Sequence, residues 1–501
     1  MIKLKTKFVH LVIILILVAS YTSKSQSNLW FFGSNYFINS GEDSITSFGL
    51  DFSSSKLLEN HSQTKINFNE SVSVVSDEYG KLLMYSDGVF IVDASHRLMS
   101  GAPLNLKGPL VGGPKDYGSR KNGYTSAAQG VLSVNKPNSN NIIYLFTTSS
   151  MEHNSDNGFR VNTIDLALSG NGSSSRPLGE VINYDSLLYN SSSEMLTAYI
   201  DCSSDSIWVI AHNRGNKFIK VLITSSGIEA VTTQEVNSPN QWNKGWISSP
   251  NVTRGTMDIS PQGDKLVMSG EWPIGTHYFD FDKHSGEISN HKSILNRQGS
   301  QLNGHATEFA PDGSIIYITS VMDLYQFDVD NETIYLLDSN QSFGEIVTGV
   351  DGKLYFGKNI NYGYSQYIGT IDSPNNFGVL ASGYFYNSIK VTDVENAGVT
   401  FGLPQDKFCW VDRITTSKEK AIIPKAKIKV FPNPVVNELY ISGVEPGMKV
   451  SIFSLEGKAV KTINSLNINR FVEVSDLRLG SYILGVFSES EILYSEVFVK
   501  N

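Results

Sequence analysis

One short unit recurs through the middle of this chain and restricts what it can fold into. Its clearest copy is Ala310–Thr319, APDGSIIYIT. Pro311 presets φ for a turn, Asp312 bonds back to the backbone, and Gly313 accepts positive φ. Ser314–Thr319 then reads as a β-strand rich in Ile and Tyr. The same turn and strand return at Ser260–Met268 and Val350–Gly357, and in degenerate form at Asp77–Tyr85. Looser copies lie at Pro137–Phe146 and Cys202–His212. The pattern is one small sheet written about six or seven times, as in repeat architectures.

Many of the strands are apolar on consecutive residues: LLMY, IIYLF, IWVI, IIYI and LYF. A strand with one wet face alternates, so continuous runs mean that both faces are covered. Sheets repeated radially, each packed between two like sheets, satisfy that demand in a β-propeller. A doubly wound α/β sheet also covers both faces, but it needs amphipathic helices between strands. No helix of three turns is legible between Asn28 and Asp412. The predicted class is therefore all-β. With repeats of about 40–50 residues, seven blades are expected, with six or eight as alternatives. Phe408–Val411 is expected to pair with Leu29–Phe32 and close the ring, which removes an exposed edge.

The ends read differently. Met1–Ser25 has the form of a secretory signal: Lys3, Lys5 and Lys7, then the apolar run Val9–Ala19, then small residues. Cleavage after Ser20 or Ser25 fits, and Ser23 and Ser25 favour the latter. The apolar run is short of the ~20 residues a membrane span needs, so no span is expected in the mature chain. The expected domains are residues 1–25 as signal peptide, 28–413 as propeller, 414–427 as a polar linker, and 428–501 as a small β-sandwich. Seven short strands at hairpin spacing support that last assignment. Net charge is −9 and no basic run follows the N-terminus, which argues against nucleic acid as a partner. Cys202 and Cys409 either pair in an oxidising compartment or remain isolated thiols, the reading preferred here.

FPNPVVNELYI (Phe431–Ile441), VSIFSLEGKAV (Val450–Val460) and VSDLRLGSYILGV (Val474–Val486) resemble the type A C-terminal sorting domain of the type IX secretion system. The resemblance covers only the final ~75 residues, the scale of a small domain. It implies a Bacteroidota protein carried across the outer membrane by the type IX machinery through residues 428–501, with the tail usually removed. Trp30–Gly33 (W-x-F-G) and Gly80–Gly88 (G-x-L-L-x-Y-S-D-G) are similar to a group of exported Bacteroidota propellers. The turns at Ser260–Gly263 and Ala310–Gly313 look like those of WD40-like and lactonase-like propellers. No catalytic residues carry over from these groups.

No G-x-S-x-G elbow, P-loop or H-E-x-x-H motif is present. The nine histidines give no metal-ligand spacing, and His277, His284 and His291 are not expected to share a face. Asp280–Gly286 reads as a hairpin turn rather than a calcium loop. No metal, cofactor or catalytic set is assigned. The binding candidates are Trp242, Trp246 and Trp272, aromatic residues outside strong strands, and Glu271 beside the last of them. Asp43–Ile45, Asp185–Leu187 and Asp205–Ile207 resemble the Bacteroidota O-glycosylation signal.

The expected function is that of a secreted or cell-surface propeller that binds an extracellular carbohydrate or protein. The alternative is an extracellular hydrolase or lyase acting on a polysaccharide or lactone. Convergent carboxylates or histidines at one mouth of the channel favour the enzyme; an aromatic, loop-built face favours binding.

Overall fold

A computed structural model describes residues 28–33, 47–52, 56–61, 66, 68, 70–77, 79–102, 127–150, 156–201, 206–235, 254–271, 274–320, 322–358, 364–393, 397–405, 407, 429–442, 449–454, 459–464, 471–487 and 492–501. Seven antiparallel sheets follow one another along the chain, spanning 29–61, 73–93, 131–189, 196–235, 255–294, 306–339 and 346–390. Among the described residues the first two have three strands and the other five have four. Each is a simple meander in sequence order, so neighbouring strands join by hairpins. A one-turn helix, Val379–Ser382, is the single α-element among the described residues.

The recurring turn is the hairpin between the first and second strands of the second, third, fifth, sixth and seventh sheets, while the turn of the fourth sheet's copy lies outside the described residues. In four copies the geometry is the same. Gly80, Gly263, Gly313 and Gly352 have φ of 78°, 69°, 73° and 79°. Their N–H groups donate to Asp77, Ser260, Ala310 and Gly349 carbonyls at 3.0, 2.8, 2.8 and 2.9 Å. A side chain at those positions would be strained, which is why glycine recurs there.

The first strands of the second to seventh sheets contact one another in succession, so they line a common axis. The ring closes through the first sheet, which is wedged between the seventh and the second. Trp30, Phe32, Phe48 and Leu50 pack against Val347, Tyr355 and Ile368 of the seventh sheet. Leu29 and Phe31 pack against Val72, Val74 and Tyr85 of the second. Trp30, Phe52 and Tyr355 form an edge-to-face trio with centroids 4.9, 5.3 and 5.7 Å apart. Each such contact contributes about 0.5–1.5 kcal/mol beyond burial.

Leu29–Phe32 lies beside Ser73–Ser76 and runs opposite to it. Asn28 N–H reaches Ser76 Oγ at one end, and Gly33 bridges Phe68 at the other. It therefore runs in the direction of a second strand. The chain returning from the seventh sheet approaches the axis beside it. Glu345 N–H donates to Phe401 C=O, Gln405 N–H donates to Val72 C=O, and Pro404 bridges Val72 in parallel. Phe408–Val411, expected to complete this closure, lies outside the described residues, as do the signal segment, the linker, Cys202 and Cys409.

The tail forms two sheets of three and four strands, Lys429–Phe431, Glu438–Ser442 and Phe471–Glu473 facing a sheet built on Lys449–Ser454 and Gly480–Phe487. Among the described residues, its core, from Val430 to Phe498, draws on no propeller residue. The expected small sandwich is thus a unit with its own core.

The turn Ser86-Asp87-Gly88 carries a buried acid. Asp87 Oδ1 accepts Val89 and Phe90 N–H at 2.8 Å each, while Oδ2 has no hydrogen-bond partner among the described residues. Burial, outweighing those backbone bonds, pushes the carboxyl up to about 7. A carboxyl raised on folding contributes stability below its unfolded value near 4, and that contribution is lost as pH rises through about 7. Asp87→Asn keeps the acceptor and removes the titration. Relative to this variant, the native chain is expected to lose on the order of 2–4 kcal/mol between pH 4 and pH 8. Urea melts of both proteins across that range measure the difference; parallel curves would contradict it.

Of the glycosylation-like triplets, Asp185–Leu187 lies on the outer strand Glu180–Tyr189 at a register irregularity, where Asp185 pairs with Arg160 at 3.1 Å. Asp43–Ile45 and Asp205 lie outside the described residues.

Candidate functional site

A first strand lining the axis has a main-chain partner on one side only, and its other buried N–H groups must find acceptors. Side chains supply them. Ser71 Oγ accepts Gly130 N–H (2.6 Å), Thr256 Oγ1 accepts Thr307 N–H (2.8 Å), and Asp258 Oδ2 accepts Phe309 N–H (2.9 Å). Glu194 Oε2 accepts Ala128 N–H (3.1 Å), Glu308 Oε1 accepts Thr348 N–H (3.0 Å), and Glu345 Oε2 accepts Leu403 N–H (3.1 Å). Each bond staples neighbouring segments around the axis. Polar residues in otherwise apolar strands are therefore part of how the ring holds together.

Glu70, Gln129, Glu194, Arg254, His305 and Glu345 stand one to three residues ahead of a first strand, so they gather at one end of the axis. Gln129 reaches across this end. Its Oε1 accepts Leu196 and Met257 N–H at 3.0 and 2.7 Å, and its Nε2 donates to Met257 C=O and Gln405 Oε1 at 2.9 and 3.3 Å. Gln405 Nε2 in turn donates to Glu345 Oε2 at 3.1 Å. Glu345 is fully buried and its Oε1 has no hydrogen-bond partner among the described residues. Burial, with the nearby charges of Glu70 and Glu194, drives its carboxyl well above the ordinary range.

Further along the axis, Lys407 Nζ lies 2.6 Å from Asp258 Oδ1 and 3.5 Å from Glu308 Oε2. These three side chains line one small cavity with Tyr199, Pro261 and Phe309. Burial and the Asp258 charge push Glu308 up to about 7. Burial opposes the charge on Lys407, but the two carboxylates outweigh it and hold the ammonium above its usual value.

At the mouth, Glu271 Oε1 lies 3.6 Å from His305 Nδ1, an ion-pair separation too long for a hydrogen bond. His305, against partial burial and with help from Arg254, holds the Glu271 carboxyl below its ordinary value. The His305 ring packs on Phe401 at 5.2 Å. Of the four residues singled out from sequence, Glu271 is thus placed beside His305 and Arg254, while Trp242, Trp246 and Trp272 lie outside the described residues.

The axial acids were missed in sequence, although a signal existed. Asp258 and Glu308 each interrupt an apolar strand three residues ahead of a turn proline, Pro261 and Pro311. A second correction concerns histidines. His277 and His291 do share a face, because Gly275–Asp282 and Glu287–Ile294 pair as a hairpin with His277 opposite Ser293. Their rings approach to 4.9 Å, while His284 stays in the connecting turn. No three His, Cys, Asp or Glu side chains converge to hold a metal among the described residues.

Residues 429–500 match the family described as the secretion system C-terminal sorting domain. No curated protein matches the chain. Solved structures give low-identity similarities. A protein from Lactobacillus plantarum is 10% identical with a TM-score of 0.43, over 76% of this chain and 99% of that one. PorZ of Porphyromonas gingivalis, a surface component of its type IX secretion system, is 12% identical with a TM-score of 0.35, over 92% and 63%. The periplasmic gluconolactonase PpgL of Pseudomonas aeruginosa is 10% identical with a TM-score of 0.36, over 89% and 99%. The tail is a type IX sorting domain, and the protein is exported through that system to the cell surface or beyond. Among the described residues no helix is long and apolar enough to cross a membrane.

Proposed function

We propose that the exported propeller is a non-catalytic binding protein whose ligand, an extracellular carbohydrate or protein, docks at the axial mouth beside Glu271, Arg254 and His305. The observation that carries this reading is that most of the axial carboxylates already have partners. Asp258 and Glu308 are held by Lys407, Glu194 accepts a backbone N–H, and Gln129 bridges the axis. What stands nearer solvent is Glu271, with its side chain 32% exposed, kept in its charged form by its neighbours. A fixed carboxylate beside an imidazole suits hydrogen bonding to hydroxyl or amide groups.

The hydrolase reading retains one specific support. Glu345 has a strongly raised carboxyl near two other glutamates, and carboxylates with divergent environments are the mark of acid–base pairs.

A glycan and peptide array probed with the mature propeller tests the binding reading. Glu271→Gln and His305→Ala are expected to weaken the selected ligand at least tenfold. Equal binding by both variants would remove the mouth from consideration.

A further inference from the structure

We propose that His277 and His291 form a binding site for a late first-row divalent metal ion, of the zinc, copper and nickel kind. His277 Nε2 lies 2.8 Å from Ile274 C=O. That carbonyl can only accept, so Nε2 carries the proton and Nδ1 presents a lone pair. His277 Nδ1 faces His291 Nε2 at 3.0 Å and Ser293 Oγ at 3.1 Å. Two ligands ~2.0–2.1 Å from a tetrahedral ion stand about 3.3 Å apart. The existing separations therefore need to open by only a few tenths of an ångström.

Other features agree with a ligand role. A metal-binding imidazole ordinarily donates its second N–H to a carbonyl or carboxylate, which fixes tautomer and ring plane. Ile274 does this for His277. His291 packs against Phe279 with ring centroids 5.1 Å apart and the planes tilted, which steadies its ring. His277 is buried, His291 half-buried and Ser293 exposed, so the site has a protein floor and an open side for water ligands. Imidazole nitrogen selects late transition ions over magnesium or calcium, which prefer oxygen. Binding requires His291 to hold its proton on Nδ1, freeing Nε2. Ile274, whose carbonyl orients His277, also donates its N–H to Glu271 C=O at 2.8 Å.

Titration calorimetry of the tag-free full chain with zinc chloride tests this. One ion per chain is expected, with no heat from magnesium chloride. His291→Phe keeps an aromatic ring against Phe279 and removes the donor nitrogen, and is expected to weaken zinc at least tenfold. His284→Ala, in the nearby turn, is expected to bind as the native chain does. In the native chain alone, zinc at tenfold excess over its Kd is expected to raise Tm by about 1–2 °C. No zinc binding by the native chain, or unchanged binding by His291→Phe, overturns the proposal.

Discussion

Cells producing a chain that stops before residue 429 are expected to accumulate a folded propeller behind the outer membrane and to display none outside. The matched sorting domain is confined to residues 429–500. Among the described residues, its core, from Val430 to Phe498, contains no propeller residue, and the propeller clusters contain no tail residue. Deleting the tail is therefore expected to remove an export address and leave the propeller folded. Fractionation, protease shaving of intact cells and a thermal melt of the retained protein together measure the outcome. Display at native levels would contradict the assignment. A retained but unfolded product would instead show that the two cores depend on each other.

The second large effect is expected at Lys407. Replacing it by Met leaves Asp258 and Glu308 buried side by side without their cation. Removing one partner of a buried ion pair costs about 3–5 kcal/mol, chiefly because the remaining charge is stranded. The loss has a pH signature. Burial and the Asp258 charge already raise the Glu308 carboxyl well above its usual value, and without Lys407 it is expected to hold its proton to still higher pH. Protonation relieves the repulsion, so the deficit is expected to be smaller at pH 5 than at pH 8. Adding Glu308→Gln to Lys407→Met is expected to recover part of the stability at pH 8. Urea denaturation at the two pH values measures both effects. A deficit below about 1 kcal/mol, equal at both, would mean that Lys407 is a surface-like pair of no structural weight.

Most of the architecture was legible because local chemistry and global fold agree here. A proline or aspartate ahead of a glycine favours a tight turn wherever it falls, and four such turns mark the second, fifth, sixth and seventh sheets. The first sheet has no copy, since Leu29–Phe32 runs as a second strand and opens its sheet without the usual preceding hairpin. The axial contacts were not legible. Gln129 meets Met257 and Gln405 across 128 and 276 residues of chain. Such meetings follow from ring closure, which no local pattern encodes. The histidine pair was hidden for a different reason. Residues seven apart in His277, His284 and His291 look unrelated, but the turn between strands decides pairing, and it sets Ser293 opposite His277 and His291 diagonal to it.

On the proposed function, this exported ring is expected to hold a ligand without transforming it. The most direct measurement follows binding and product formation together, using the strongest array ligand and the mature propeller. The expected result is a saturable isotherm with one site per chain, the ligand recovered intact after prolonged incubation, and binding lost in His305→Ala. Release of a cleaved or ring-opened product that disappears in Glu345→Gln would contradict it and make the buried Glu345 carboxyl the centre of an enzyme.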